Sequence, residues 1–492
     1  MITEKKSSVL VIGGGFAGMY AALAASEAGA AVTVLCKGRV GSSGNSTIAM
    51  SVHRFAPDAP GLREEYRERF LRSAAGIPDA ETGEYFVNYA AAAMEKLRSY
   101  GLPLHFRTKT EAGEEHPYLA CCDPKRGIIL TRALRSYLEE HTAVRMVENT
   151  MAADLLTVNG AVCGVLALRD GELVSYPADA VVLACGGAGH IYADTNNTAD
   201  ITGDGYAMAL RVGLPLRDME FVQFYPYRIV SPGVADIFPD IFDHGAVYRN
   251  GRGERFMEKP EYPRREQENR DIVARAMYDE GEVWLDLSAC EPEYLQKECP
   301  NIAEMYRTHP GEKLIVRPMA HFFMGGIPLR PDCSAELRGL YVCGEVTGGL
   351  HGANRLAGSA LTECVLFGSR AGKEAAAYAG KTSAPDCENA AGTLAAEYPA
   401  PGEDDLKALR RRLGETMAKN VSLIRNEKGL SEAQAELSEI EKEFSAVHPD
   451  NLKAWLELRN MLLTAKVVTD AAMKRKESVG AHCRREGEDR EK

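Results

Sequence analysis

Gly13, Gly15 and Gly18 stand in a G-x-G-x-x-G spacing, with Gly14 inside it, directly after the apolar run Ser8–Ile12. Glycines let a strand-to-helix turn close tightly and let the backbone approach a pyrophosphate, and the N-terminus of the following helix favours the anion. The spacing therefore predicts a dinucleotide phosphate site. A ribose-binding acid is expected where the next strand, Ala31–Leu35, ends, but Cys36-Lys37 stands there. That counts against simple NAD binding. The twelve cysteines contain no C-x-x-C, and only Cys121 and Cys122 lie close together. No zinc or iron–sulfur ligand set is predicted, so electrons leaving by an iron–sulfur route need another chain to carry it.

The elements around this loop read as a nucleotide-binding sheet. An Ala-rich helical stretch runs to Ala28 and completes a βαβ unit with Ala31–Leu35. Val144–Ala180 alternates short apolar runs with turns, as a β-meander does, and Ala180–Ala184 is a buried strand closed by Cys185-Gly186-Gly187. Tyr225–Arg317 is richer in Pro, aromatics and charge and reads as an inserted domain. Leu340–Cys343 is again a strand; a helical period runs to Tyr378, an Ala/Pro/Glu-rich linker follows, and helices return from Leu406 to Lys476.

The chain has 492 residues, 45% hydrophobic and 26% charged, with net charge −12. This is the composition of an ordinary globular protein of several domains. The acidic balance argues against nucleic acid as the main partner. No apolar run approaches the ~20 residues of a transmembrane span, and Val9–Ile12 is too short for a signal-peptide core. A cytoplasmic protein is expected, with a peripheral place on a membrane complex left open.

The second half carries long motifs. Met319-Ala320-His321-Phe322-Phe323-Met324-Gly325-Gly326-Ile327 precedes Gly339-Leu340-Tyr341-Val342-Cys343-Gly344-Glu345-Val346, and then His351-Gly352-Ala353-Asn354-Arg355-Leu356-Ala357-Gly358-Ser359-Ala360-Leu361. With Thr202-Gly203-Asp204-Gly205, Gly253-Glu254-Arg255-Phe256-Met257, Arg270-Asp271-Ile272 and Arg475-Lys476-Glu477-Ser478, the chain resembles the flavoprotein family of succinate dehydrogenase, fumarate reductase and L-aspartate oxidase. The resemblance implies an α/β fold. It consists of a Rossmann-like FAD-binding domain of the glutathione-reductase type (1–224 with 318–380), interrupted by an α+β capping domain (225–317). A linker (381–404), a C-terminal helical bundle (405–482) and a charged tail (483–492) follow.

The resemblance also implies FAD held by Gly13, Gly14, Gly15, Gly18, Lys37, Ser43, Asn45, Ser46, Gly186, Asp204, Glu345, Ala360 and Leu361. Family members with covalent flavin carry a histidine after the second strand; Gly41-Ser42-Ser43-Gly44-Asn45-Ser46-Thr47 has none, so non-covalent FAD is expected. Hydride chemistry beside a carboxylate requires that carboxylate to be clamped and a proton to be given or taken. By resemblance His321 and Arg355 clamp it and Arg270 moves the proton, while His351 shapes the flavin pocket. The implied partners are a small carboxylate substrate and an iron–sulfur or other electron-transfer subunit; no metal is implied.

Two departures stand out. Where the family holds a second carboxylate with His-Pro-Thr, this chain has Tyr225-Pro226-Tyr227. The family's Thr-Glu and Arg-Gly-Glu-Gly are replaced by Phe238-Pro239-Asp240-Ile241-Phe242-Asp243-His244-Gly245. The expected pocket end is more aromatic and less cationic, lined by Phe221, Phe224, Tyr225, Tyr227, Phe238 and Phe242, with Asp240, Asp243 or His244 as substitute proton groups. An enoate with one carboxylate and a planar or apolar far end fits this better than fumarate or succinate. The alternatives are L-aspartate oxidase, an adenylylsulfate-reductase-like flavoprotein and an electron-shuttling subunit. Thr362-Glu363-Cys364 and the short C-terminal region favour the first of these.

Overall fold

The computed structural model describes residues 2–56, 60–111, 114–121 and 126–487. Of the Cys121-Cys122 pair, Cys122 lies outside them. Buried runs of Val, Leu and Ile form Ser7–Ile12, Val32–Leu35 and the long strand Glu172–Leu183. They pair in parallel, Val9 lying opposite both Val32 and Ala180. Arg145–Val147 and Leu340–Val342 extend the parallel sheet on either side. Strands apolar on both faces are what a sheet covered by helices requires. The helix Phe16–Glu27 is buried from Phe16 through Ala25, because its small side chains let it lie against both the sheet and the helix Ser359–Ala379.

The long strand changes partners halfway. Residues 178–183 run parallel to the first strand, and 172–177 pair antiparallel with 164–169, which continue into Thr150–Val158. The meander read from the sequence therefore begins only at Thr150; Arg145–Val147 belongs to the parallel sheet, because it pairs with Val32–Leu35.

Val222–Ser231 and Leu314–Phe323 cross from this body into a second sheet, ordered Ala235–Asp236, Val222–Ser231, Leu314–Phe323, Val283–Asp286, Val247–Asn250. Its own core contains Tyr227, Tyr248, Val273, Leu285 and Val316. The helices Lys407–Asn420, Glu427–Phe444 and Leu452–Lys474 add Leu413, Leu437, Met461 and Val468 to the same core as the parallel sheet. Asn426 and Asn451 cap two of them, accepting from Gly429 N and Ala454 N.

Two segments differ from their sequence reading. The linker contains the helix Glu388–Ala395, docked through Cys387 and Ala391 on Leu156, Cys163 and Leu166. The charged tail begins pinned: Arg484 pairs with Glu427 and Glu486, both at 2.7 Å, and Arg485 pairs with Asp279. Local composition reads as solvated there because the partners lie far away in sequence. Among the described residues no helix is long and apolar enough to cross a membrane, and no cluster of His, Cys, Asp and Glu could hold a metal ion.

Candidate active site

The parallel strands all end at one cavity. Ile12, Leu35, Ala184 and Cys343 line it, followed by the turns Gly13–Gly15, Cys36-Lys37, Cys185-Gly186 and Gly344-Glu345. A crevice beyond the carboxyl ends of parallel strands is where open α/β sheets bind ligands. Its volume is about 370 Å³, within the ~300–1,000 Å³ of small-molecule and cofactor sites.

The glycine loop is shaped by close approach. Gly13 has φ +117°, and a Cβ there would lie 2.1 Å from Ala184 O. Gly18 does not line the cavity; a Cβ on it would lie 1.9 Å from Gly13 O, so its role is to seat the helix on the turn. Ser46 Oγ accepts from Phe16 N at 3.0 Å, capping that helix from the segment after the second strand. Asn45 Oδ1 accepts from Thr198 N at 3.1 Å, and Ser43 Oγ accepts from Arg39 N at 3.0 Å, so both shape their own loops.

Lys37 lies 2.9 Å from Asp204 and 3.3 Å from Glu457 of the C-terminal helices. Burial opposes its charge, but Asp204 and Glu457 outweigh burial and the net shift of its pKa is upward. Asp204 also accepts from Thr202 Oγ1 at 2.8 Å and Asn460 Nδ2 at 2.9 Å. Farther along, Glu345 Oε1 accepts from Phe323 N at 3.1 Å; burial raises its carboxyl to about 7, with that bond pulling it back. Glu345 therefore exchanges a proton near neutrality, unlike an exposed carboxylate. A loop free of side chains, a buried ion pair and a partly neutral carboxyl along one cleft suit the phosphates and hydroxyls of a dinucleotide, and FAD fits this donor set.

The cavity continues to the capping sheet. Gln223, Tyr225 and Tyr227 alternate along one strand and so share a face. Opposite them the pairing jumps from Gln223–Phe322 to Phe224–Ala320, which leaves His321 as the residue of a bulge. Bulges re-aim side chains, and the His321 ring stacks on Tyr225 with centroids 4.7 Å apart. His321 Nδ1 lies 3.0 Å from Asn196 Oδ1, so Nδ1 carries the proton and Nε2 is left to the cavity. Burial, then the charges of Arg270 and Arg355, push the His321 pKa well below its ordinary value. The ring is neutral, so the expected cationic clamp is supplied by the arginines.

Arg270 opens the helix Arg270–Glu280, and Arg355 sits in the loop before Ser359–Ala379. Arg270 Nη1 donates to Gln223 Oε1 at 2.8 Å and Arg355 Nη2 donates to the same oxygen at 3.1 Å. Arg270 stands 4.9 Å over the Tyr225 ring and Arg355 4.2 Å over Phe322. Neither makes an ion pair among the described residues, and the Nε of each is buried without a partner. Burial, then Arg270, lower the Arg355 pKa to about 9, and burial lowers that of Arg270 too. Two charged groups held together in a dry place without a counter-ion form an anion site.

Every other cofactor or substrate residue read from the sequence also lines this cavity: Gly14, Gly15, Lys37, Ser43, Asn45, Ser46, Gly186, Asp204, Tyr225, Tyr227, Glu345, Ala360 and Leu361. The aromatic lining is narrower than expected. Tyr225, Tyr227 and Phe238 face the cavity, while Phe221 packs under Arg475, Phe224 against Tyr192, and Phe242 between Tyr227 and Tyr248. Strand alternation turns Phe224 away, and Phe242 joins the cap core. Of the substitute proton groups, Asp240 lines the cavity; Asp243 bonds Gln267, and His244 stacks on Tyr294 near Glu291. His351 is buried 2.9 Å from Glu363 and does not line the cavity.

Arg54 was missed by sequence reasoning. It lines the cavity, is buried, and its charge helps lower the Arg270 pKa. Its place is set by pairing of Arg54 N with Gly358 O at 3.0 Å, a contact no local pattern announces. The pocket is therefore less poor in cations than the sequence implied. Gln223 was missed as well, since a glutamine in a strand carries no chemical signature.

The FAD binding domain family matches residues 8–361, and the fumarate reductase flavoprotein C-terminal family matches 410–492. An uncharacterized FAD-dependent oxidoreductase of Methanocaldococcus jannaschii is 33% identical, covering 97% of this chain and 93% of that protein. The flavoprotein-like chain of a CoM/CoB fumarate reductase of Methanothermobacter marburgensis is 32% identical over the same shares. The Escherichia coli quinol fumarate reductase structure superposes with a TM-score of 0.89 at 28% identity, covering 99% of this chain and 92% of that one.

Proposed function

We propose, from the premise that this chain belongs to the FAD-dependent flavoprotein family of succinate dehydrogenase, fumarate reductase and L-aspartate oxidase, that it adds or removes hydrogen across the carbon–carbon bond next to a single substrate carboxylate. The observation that carries this reading is the shared contact of Arg270 and Arg355 on Gln223 Oε1, with no counter-ion among the described residues. A substrate carboxylate supplies the missing negative charge.

Bound FAD, held non-covalently, gives or accepts the hydride. Gly13–Gly15, Ser46, Lys37, Asp204 and Glu345 hold it, each from the end of a strand or the loop after one. Arg355 and Arg270 orient the carboxylate, and their charge polarises a conjugated double bond. Arg270 is also the proton donor at the carbon beside the carboxylate, because burial lowers its pKa and so eases release. Asp240, on the same cavity wall, returns the proton.

The far end favours an uncharged group. Tyr225 and Tyr227 place their hydroxyl hydrogens on Ile237 O at 2.8 Å and Glu266 O at 3.1 Å, so neither is available to a second carboxylate. A missing charge-assisted hydrogen bond costs about 1.5–3 kcal/mol. The test is anaerobic reoxidation of reduced holoprotein by a panel of enoates. Aryl and imidazolyl acrylates are expected to outpace fumarate; fumarate reacting as fast as any of them refutes the far-end assignment, and no reaction with any enoate refutes the carboxylate reading. An electron-transfer partner chain is sought by co-purification.

A further inference from the structure

We infer that Gln223 is the positioning residue that makes Arg270 and Arg355 into one anion fork. It does not line the cavity and is fully buried behind the two arginines. Two guanidiniums repel, and each of these lacks a carboxylate partner among the described residues. Their common acceptor is a neutral amide oxygen, at 2.8 Å from Arg270 Nη1 and 3.1 Å from Arg355 Nη2. A dipole can gather two cations without discharging them, so their charge stays available to a ligand.

The orientation of this amide is fixed from behind. Gln223 Nε2 donates to Asn354 Oδ1 at 2.8 Å and to Arg355 O at 2.9 Å. Turned over, the amide would set its N–H groups against two guanidiniums. Asn354 is oriented in turn, because its Nδ2 donates to Asp271 Oδ1 at 3.0 Å. Asp271 is paired with Arg275 at 2.8 Å, and Arg275 Nη1 donates to Gly480 O at 2.6 Å. The chain of donors and acceptors thus runs from a C-terminal loop, through the helix that begins with Arg270, to the strand beneath the fork. Each link permits one orientation of the next, which is how a polar network specifies a geometry.

This assignment rests on the carboxylate reading above, and the experiment keeps the two apart. Holoprotein is titrated with trans-cinnamate, acrylate and fumarate while the flavin absorbance is followed, for wild type, Gln223→Glu and Gln223→Met. Gln223→Glu places a carboxylate where both arginines already point. It is expected to weaken carboxylate binding about 10- to 100-fold, raising KM far more than it lowers kcat, with FAD retained. Gln223→Met, of similar size, removes the acceptor without adding charge and is expected to weaken binding about 3- to 10-fold. Binding within twofold of wild type in whichever variant retains FAD overturns the assignment. If wild type responds to none of the three carboxylates, the carboxylate reading itself fails and the fork with it.

Discussion

Replacing Arg355 with methionine separates what this arginine does for the ligand from what it does to the fold. Burial and the charge of Arg270 take its pKa from 12.5 to about 9. At about 1.36 kcal/mol per pH unit, keeping the guanidinium charged in the folded chain costs on the order of 4–5 kcal/mol. A lowered pKa on a cation means that this penalty is in force below about 9 and so is full at neutral pH. Against it stand the bond to Gln223 at 3.1 Å and the stacking over Phe322 at 4.2 Å. These are worth roughly 1.5–3 and 0.5–2 kcal/mol. The balance runs from about zero to about 2–3 kcal/mol in favour of Arg355→Met. The variant is expected to unfold at the wild-type temperature or slightly above it, yet lose the ligand. Wild-type holoprotein with a carboxylate at about 100 times its Kd gains about 2.7 kcal/mol of stability, and the variant gains nothing measurable. Paired thermal scans with and without trans-cinnamate, with flavin fluorescence reporting cofactor release, read both effects. A variant that retains FAD but melts well below wild type would show that Arg355 stabilises the fold and that charge repulsion does not govern its cost.

Other outcomes follow from the same geometry. Tyr225→Phe loses only the bond to Ile237 O, so turnover of the best enoate stays within about threefold; a hundredfold loss means that the hydroxyl touches substrate. Lys37→Met leaves Asp204 and Glu457 without their shared cation and lowers FAD affinity about 10- to 100-fold by fluorescence titration; unchanged affinity removes Lys37 from the cofactor site. Glu345 is held up to about 7 by burial, against an ordinary 4.5, so the stability of its neutral form is present below 4.5 and is lost as pH rises through 7. Glu345→Gln in flavin-free protein should therefore gain on wild type between acid and mildly alkaline pH, by on the order of 3 kcal/mol; a pH-independent difference contradicts this. Acid or detergent denaturation should release all the flavin, whereas flavin remaining on the polypeptide refutes non-covalent binding.

The phosphate loop and the family motifs were legible in the sequence because their chemistry is local. Gly13, Gly15 and Gly18 must be small to meet Ala184 and one another, and the parallel strands must be apolar on both faces. Arg270, His321 and Arg355 could be named from motifs, but not their neutrality or charge. That was decided by a bulge at His321, by Gln223 arriving from a strand nearly fifty residues before Arg270, and by the dryness of the cavity they share. Arg54 entered the pocket through pairing with Gly358, and Phe221, Phe224 and Phe242 left it through strand alternation and cap packing. Residue type and spacing set which groups can carry charge or bind phosphate. Which of them face one another out of water, and so what their protons and charges do, depends on contacts between distant segments that only the folded chain creates.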